Sequence, residues 1–240
     1  MSGGLYIVRL RPNRTRLATF ATARKVDDLG YALHQALVET FGAAALKPFR
    51  LIEKRGELLG YCPHDTAALK EYADLQRTQA QHWESASDAI GLPSLDTRPM
   101  PDRWTAGRRY RFEIRARPVV RMSHAKERGI PHERDVFCAA IDGRDPKEWP
   151  DRRETYRDWL AKQFRVSGGA EPILTQIVAM KRSKAHRRGN SRTVVVEGPD
   201  VLFAGTLQVA DPGKFPSFLA RGIGRHRAFG YGMLLLSPGG

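Results

Sequence analysis

The segment RLIEKRGELLGYC, residues 50–62, decides the fold of the first half of the chain. Its apolar residues fall in two short runs on either side of Arg55-Gly56, where the glycine favours a tight turn. We therefore predict two strands, Arg50–Lys54 and Leu58–Cys62, that pair as a hairpin.

A strand and two helices are predicted around this hairpin. The run LYIVRL, Leu5–Leu10, is rich in β-branched and aromatic residues and predicts an opening strand. Asp27 and Asp28 can cap a helix that ends at Gly42 and carries an apolar stripe, formed by Leu29, Leu33, Leu37 and Phe41. A second helix is predicted over residues 65–81. The order strand, helix, strand, strand, helix begins a ferredoxin-like split βαβ unit.

The second half of the chain repeats this order of elements. The strand Tyr110–Val120 alternates arginines with apolar residues, which puts one face in a core and leaves the other basic. The remaining predicted elements are helix Arg152–Phe164, strands Ile173–Met180, Thr193–Val196 and Val201–Val209, helix Asp211–Ala220 and strand Tyr231–Leu236. The segment Ser85–Thr105 is rich in Pro, Ser, Asp and Thr and is interpreted as a loop or linker. We therefore predict an α+β protein of two tandem ferredoxin-like (RRM-like) domains, residues 1–95 and 106–240.

The charge of the chain indicates a polyanionic partner. Lys and Arg number 40 against 26 Asp and Glu, which gives a net charge of +14. The cations are concentrated in residues 108–134, 181–192 and 221–227, mostly on predicted strands and loops. A protein that binds a membrane surface would place such charges on an amphipathic helix, so nucleic acid is favoured. Arginine outnumbers lysine in these segments, as suits bidentate contacts with phosphate.

Several classes of protein are disfavoured by the sequence. The first ten residues lack the apolar stretch of a secretory signal, and no run of about 18 apolar residues predicts a membrane helix. Cys62 and Cys138 are too few for a disulfide framework or a zinc motif. The histidines show no metal-ligand spacing. We expect a reduced, cytoplasmic protein without a metal or other cofactor.

Tyr31 and His34 are the candidate catalytic residues. They lie three residues apart on the first predicted helix, so their side chains are neighbours, away from the centre of its apolar stripe. An imidazole that titrates near neutral pH suits a general acid or base. The spacing alone also fits an ordinary surface histidine.

A second candidate is the glycine-rich segment GIGRHRAFGYGMLLL, residues 222–236. Its glycines allow the backbone to approach a ligand closely, while Arg225, His226 and Arg227 supply positive charge. It is not a dinucleotide-binding fingerprint, because it precedes a strand and has an arginine at the position of the third glycine. The alternative is a tight connection between a helix and a strand.

Three features together resemble the CasE family, the CRISPR repeat-RNA endoribonucleases of the type I-E Cascade complex. They are the Tyr-x-x-His on the first helix, the basic strand pair in the second half and the glycine-rich ending, which is the most specific. The segment RARPVVR, residues 115–121, and the helix at residues 154–160 are also similar. The resemblance covers most of the chain, but the polar stretches 85–105 and 123–150 depart from it.

The resemblance implies binding of the repeat stem-loop, cleavage at its 3′ side, retention of the product and assembly with other Cascade subunits. His34 would transfer protons, and Tyr31 would position the scissile phosphate or share in proton transfer. The ribose 2′-OH would attack the phosphate without a metal, leaving a cyclic phosphate and a 5′-OH. The predicted RNA-binding residues form two basic tracks and the glycine-rich loop: Arg115, Arg117, Arg121, Lys181, Arg182, Lys184, Arg187, Arg188, Gly222, Gly224, Arg225, His226 and Arg227.

Two other functions fit the same residues. A non-catalytic scaffold would bind the repeat hairpin, and replacement of His34 would leave the fate of the RNA unchanged. A general nucleic-acid-binding protein would bind unrelated hairpins with similar affinity and a steep dependence on salt.

Overall fold

Each half of the chain folds as a four-stranded antiparallel sheet with helices packed against it. The computed structural model describes residues 4–122, 133–188 and 193–239, and the side chains of 185–188 and 193–196 lie outside that description. In both sheets the first and third strands of the unit are central, as in a ferredoxin-like fold. The prediction of two tandem ferredoxin-like domains is confirmed.

The N-terminal domain contains four strands and four α-helices. They are β1 (Tyr6–Leu10), α1 (Arg14–Ala23), α2 (Leu29–Phe41), β2 (Phe49–Ile52), β3 (Glu57–Cys62), α3 (Thr66–Gln79), α4 (Trp83–Ile90) and β4 (Asp96–Pro99). The sheet order is β2-β3-β1-β4, and the predicted hairpin is present with Leu51 opposite Leu58. No helix of the described residues is long and apolar enough to cross a membrane.

The prediction of a loop or linker over Ser85–Thr105 was wrong as far as Pro99, and residues 100–105 are a loop as predicted. The small apolar residues Ala86, Ala89 and Ile90 are fully buried on α4, and β4 pairs with β1 at the edge of the sheet. The N-terminal domain therefore continues past residue 95, and we place its boundary between β4 and the next strand, which begins at Arg109.

The N-terminal sheet is buried on both faces. Val8 and Leu58 pack against the helices of their own domain, whereas Ile7 and Tyr61, opposite each other on β1 and β3, pack against the C-terminal core. The Tyr61 hydroxyl donates to the carbonyl oxygen of Leu234 at 2.9 Å. The two domains therefore share an extensive apolar interface, as expected for strands that carry apolar residues on both faces of the sheet.

The described residues of the C-terminal domain form the second sheet, a short ribbon and three α-helices. Its elements are β5 (Arg109–Ala116), β6 (Val119–Arg121), β7 (Glu133–Asp135), α5 (Val136–Ala140), α6 (Arg152–Ser167), β8 (Ala170–Arg188), β9 (Thr193–Val209), α7 (Phe215–Arg221) and β10 (Leu234–Pro238). The sheet order is β10-β5-β9-β8, and β6 pairs with β7 as a separate ribbon. Phe112, Ile114 and Ala116 are buried, so the predicted core face of β5 is confirmed.

The basic segment after Met180 continues β8 instead of interrupting it. β8 and β9 pair along their whole length, from Ala170 opposite Val209 to Arg188 opposite Thr193. We call the outer part of this hairpin, residues 181–188 and 193–200, the arm. It carries Lys181, Arg182 and Lys184 as exposed side chains.

Candidate active site

Helix α2 begins at the N-terminal cap that the sequence predicts. The Asp28 carboxylate accepts a hydrogen bond from the backbone N–H of Tyr31 at 2.9 Å. The predicted position of the apolar stripe needs correction, since Leu29 is 44% exposed whereas Tyr31 is buried. Tyr31 was expected on the more polar side of the helix, but a segment of the C-terminal domain covers that side.

The covering residue is Phe229, in a 3₁₀ turn of the glycine-rich segment. The centroid of its ring lies 5.7 Å from that of Tyr31, 5.6 Å from that of His34 and 5.9 Å from that of His226. Both candidate catalytic residues of the N-terminal domain therefore contact one aromatic ring of the C-terminal domain.

Glycines make this close approach possible. A Cβ atom on Gly30 would overlap the carbonyl oxygen of Phe229, so the first turn of α2 meets the loop only because residue 30 is glycine. Gly232 has a φ of +78°, and a Cβ there would overlap the carbonyl oxygen of Ile223. Gly222 and Gly224 likewise pack against protein atoms, of Pro48 and Trp159. The alternative of a tight connection therefore accounts for most of these glycines.

The environment of His34 favours its neutral form. Burial, and then the positive charge of Lys47, lower the pKa of His34 below its ordinary value of 6.5. Its Nδ1 atom is buried and has no hydrogen-bond partner within the described part of the chain. A half-buried imidazole that is neutral at pH 7 can accept a proton from a substrate.

Arg225 and His226 are held by Glu133 on the ribbon. The Glu133 carboxylate accepts from Arg225 Nε and lies 2.6 Å from His226 Nε2. The hydrogen bond with His226 is the main cause that lowers the pKa of Glu133 to about 2. Arg225 and His226 were predicted to contact RNA, and in this structure they attach the glycine-rich loop to β7. Arg227, the third predicted cation, donates to the carbonyl oxygen of Arg221 at 2.6 Å.

The predicted track Arg115, Arg117 and Arg121 does not lie on one exposed face. Arg117 is fully buried, with its guanidinium donating to the carbonyl oxygen of Ser183 at 3.2 Å and lying over Tyr231. Its predicted outward position was wrong, because Ser183 on the arm and Tyr231 in the glycine-rich segment cover that side of the strand. Arg115 is half-buried and makes a bidentate pair with Asp200, at 2.8 and 2.6 Å. Only Arg121 is exposed.

The arm presents cations beside α2, the helix that carries the candidate catalytic residues. Lys181, Arg182 and Lys184 are exposed, and the side chains of Arg187 and Arg188 lie outside the described residues. Lys184 and Arg115 line a cleft of about 200 Å³ between the domains. The start of α2, with Asp27, Asp28 and Gly30, and residues 229–231 also line the cleft, whereas Tyr31 and His34 do not.

No group of three His, Cys, Asp or Glu side chains in residues 4–122, 133–188 and 193–239 is arranged to hold a metal ion. Titratable groups on α2 and around it include Asp28, His34, Lys47 and the pair of Glu133 with His226.

Comparison with known proteins identifies the family. The profile of the family described as CRISPR associated protein matches residues 5–238, which is nearly the whole chain. The chain belongs to this family. A search among curated proteins finds no significant match.

Solved structures of CRISPR proteins share the fold. One, of the CRISPR endoribonuclease Cse3 bound to a 19-nucleotide RNA, is 21% identical with a TM-score of 0.65 and covers 98% of this chain and 100% of its own. Cse3 of Thermus thermophilus, bound to an RNA that represents a pre-cleavage complex, is 19% identical with a TM-score of 0.62 and covers 98% and 100%. Cas6e of Escherichia coli K-12 is 15% identical with a TM-score of 0.54 and covers 98% and 99%. The resemblance inferred from the sequence is thus confirmed for family and fold.

Three residues of the site were missed by sequence reasoning. Lys47 lies thirteen positions after His34 and next to Pro48, so no periodicity connects it with the imidazole. Glu133 is one acid in a basic stretch, and only the pairing of β6 with β7 brings it to the glycine-rich loop. Phe229 lies within the glycine-rich segment quoted above. Nothing in the neighbouring sequence indicates that its ring contacts α2.

Proposed function

We propose that the protein is an endoribonuclease that cleaves CRISPR repeat RNA at the 3′ side of its stem-loop. In this proposal it retains the product as a subunit of the cytoplasmic Cascade complex. The observation that carries the proposal is the neutral, half-buried His34 beside Lys47, packed under a loop of the other domain. The titles of the Cse3 structures, which name an endoribonuclease and its bound RNA, support the substrate class.

The proposed reaction uses the ribose 2′-OH as nucleophile. His34 takes the proton of the 2′-OH, the 2′ oxygen bonds to the adjacent phosphorus, and the bond from phosphorus to the 5′ oxygen breaks. The leaving 5′ oxygen takes a proton, for which Tyr31 is the neighbouring donor, and the products are a cyclic phosphate and a 5′-OH. The ammonium of Lys47 stabilises the negative charge on the phosphorane. No step requires a metal ion.

The proposed path of the RNA follows the exposed cations. The deep, narrow major groove of an A-form stem gives side chains little access to bases, so a stem is bound by its shape and phosphates. Lys181, Arg182 and Lys184 on the arm can contact the stem, and Lys184 also lines the cleft beside α2. Arg115, Arg225 and His226 then act indirectly, because their acidic partners hold them in place.

Cleavage of the cognate repeat RNA in excess EDTA tests the proposal. Wild-type protein should cut the RNA, and His34→Ala should lose at least about a hundredfold in rate, the usual contribution of general acid–base catalysis. His82→Ala is the matched control, since His82 is exposed at the start of α4 and its side chain makes no cap hydrogen bond.

Other outcomes separate the alternatives. Tight, selective binding of the hairpin without cleavage by wild type would indicate the non-catalytic scaffold. Equal affinity for unrelated hairpins would indicate a general nucleic-acid-binding protein. Cleavage that EDTA abolishes would overturn the metal-independent mechanism.

A further inference from the structure

A second cavity lies at the base of the arm, apart from the cleft beside α2. Its volume is about 290 Å³, and no residue lines both cavities. It is enclosed by the N-terminal half of α6 and by the point where β8 and β9 leave the sheet. The lining residues are Arg152, Tyr156, Met180, Lys181, Arg182 and Pro199.

The floor of this cavity is apolar. Met180 is 45% exposed although it lies among charged residues, and its neighbours on the floor are Pro199 and Tyr156. The position of Tyr156 is fixed by a hydrogen bond, because its hydroxyl donates to the Asp135 carboxylate at 2.7 Å. An apolar surface with an exposed Met180 side chain is suited to contact with the face of a nucleobase.

The rim of the cavity is cationic. The guanidinium of Arg152 lies 3.9 Å from the centroid of the Phe137 ring and 3.4 Å from the Asp135 carboxylate, and both contacts orient it. Lys181 and Arg182 are exposed on β8. Arg182 pairs with Glu197 at 3.0 Å, and both side chains are more than half exposed. Ion pairs between exposed groups are weak, so Arg182 can exchange Glu197 for a phosphate.

We propose that this cavity binds one unpaired nucleotide next to the RNA stem. The base lies on Met180, Pro199 and Tyr156, and its phosphate lies between Lys181 and the two arginines. This inference rests on the proposed function, since it adds a binding subsite to the same RNA. None of Tyr31, His34 and Lys47 lines this cavity, so it contributes to affinity and to the register of the RNA and takes no part in the chemistry.

A double-mutant cycle between protein and RNA tests the subsite. The probe is the fluorescein-labelled repeat hairpin with its unpaired flanks, made uncleavable by a 2′-deoxy sugar at the scissile phosphate. Two further RNAs carry abasic nucleotides in the 5′ or the 3′ flank. The protein variants are Met180→Ser combined with Arg182→Gln, and the control Arg165→Gln, which removes an exposed cation of α6 outside the cavity.

Wild type and the control should lose about tenfold in affinity for one of the two abasic RNAs, as expected for one stacked base. The double variant should bind the intact RNA about tenfold more weakly than wild type does. It should bind the abasic RNA as tightly as it binds the intact RNA. Equal losses for wild type and double variant on abasic RNA would overturn the subsite, as would a double variant that binds intact RNA like the control. If wild type does not prefer the repeat to an unrelated hairpin, the proposed function itself fails.

Discussion

The imidazole of His34 lies edge-on to the ring of Phe229, with centroids 5.6 Å apart and an interplanar angle of 88°. His34 belongs to the N-terminal domain and Phe229 to the C-terminal domain, so this contact joins the candidate catalytic helix to the glycine-rich loop. Phe229 also contacts Tyr31, and it is the common neighbour of both candidate catalytic side chains.

Phe229→Ala should lower the rate of RNA cleavage roughly ten- to a hundredfold, because small displacements of catalytic groups cost rates of this order. Affinity for the hairpin should change little, since the arm is untouched. Single-turnover cleavage and binding of uncleavable RNA measure the two effects separately. Phe229→Leu, which keeps an apolar side chain at the contact, should lose less. Equal cleavage rates for wild type and Phe229→Ala would show that the Phe229 ring does not position the catalytic side chains.

Lys47→Met should raise the pKa of His34. The ammonium of Lys47 disfavours the imidazolium, so its removal shifts the acidic limb of the pH–rate profile to higher pH if His34 acts as the base. The profile of kcat/KM and the NMR titration of the His34 ring should move together. Lys54→Met, in the exposed turn between β2 and β3, is the control and should leave both unchanged. Identical profiles for the two variants would contradict the assignment.

Gly30→Ala should inactivate the protein while leaving each domain folded. Alanine favours a helix over glycine by about 1 kcal/mol, so the substitution by itself suits α2. Its Cβ would nevertheless overlap the carbonyl oxygen of Phe229 and displace the loop. We expect at least a tenfold loss of cleavage rate, a rough figure for a displaced catalytic contact. Gly213→Ala, where a Cβ meets nothing closer than 3.4 Å, should retain full activity.

Glu133→Gln should destabilise the protein at neutral pH by about 1–3 kcal/mol, the usual contribution of hydrogen bonds to a charged group. In the folded protein the pKa of Glu133 is about 2, below its ordinary value of 4.5. The stability from ionised Glu133 is therefore present above pH 4.5 and lost as the pH falls towards 2. Urea unfolding at pH 7 and pH 3 should show a difference between wild type and variant that shrinks at the lower pH. Glu154→Gln, in an exposed pair with Arg157, is the control and should differ little from wild type at either pH.

Much of the fold could be predicted because its signals are local. The hairpin at residues 50–62, the Asp28 cap and the core face of β5 each depend on residues within a few positions of one another. Two of the elements that were missed lack such signals. Helix α4 begins without a side-chain cap hydrogen bond, and β4 is four residues long at the edge of the sheet.

The site could be predicted only in part, because its contacts cross the domain interface. Tyr31 and His34 were selected by their spacing, but their burial depends on Phe229, about 200 residues later in the sequence. Arg115 and Arg117 both lie over the ring of Tyr231, and Arg117 also donates to the carbonyl oxygen of Ser183. Alternation predicts which side of a strand a residue occupies, but not whether distant segments cover that side.

The chemical ends of the cleaved RNA test the central claim most directly. Wild-type protein is incubated with the cognate repeat RNA in excess EDTA, and the products are analysed by mass spectrometry beside a substrate with a 2′-deoxy sugar 5′ of the scissile phosphate. The account predicts a cyclic phosphate on the upstream product, a 5′-OH on the downstream product and no cleavage of the 2′-deoxy RNA. A 3′-OH with a 5′-phosphate, or cleavage of the 2′-deoxy RNA, would contradict it.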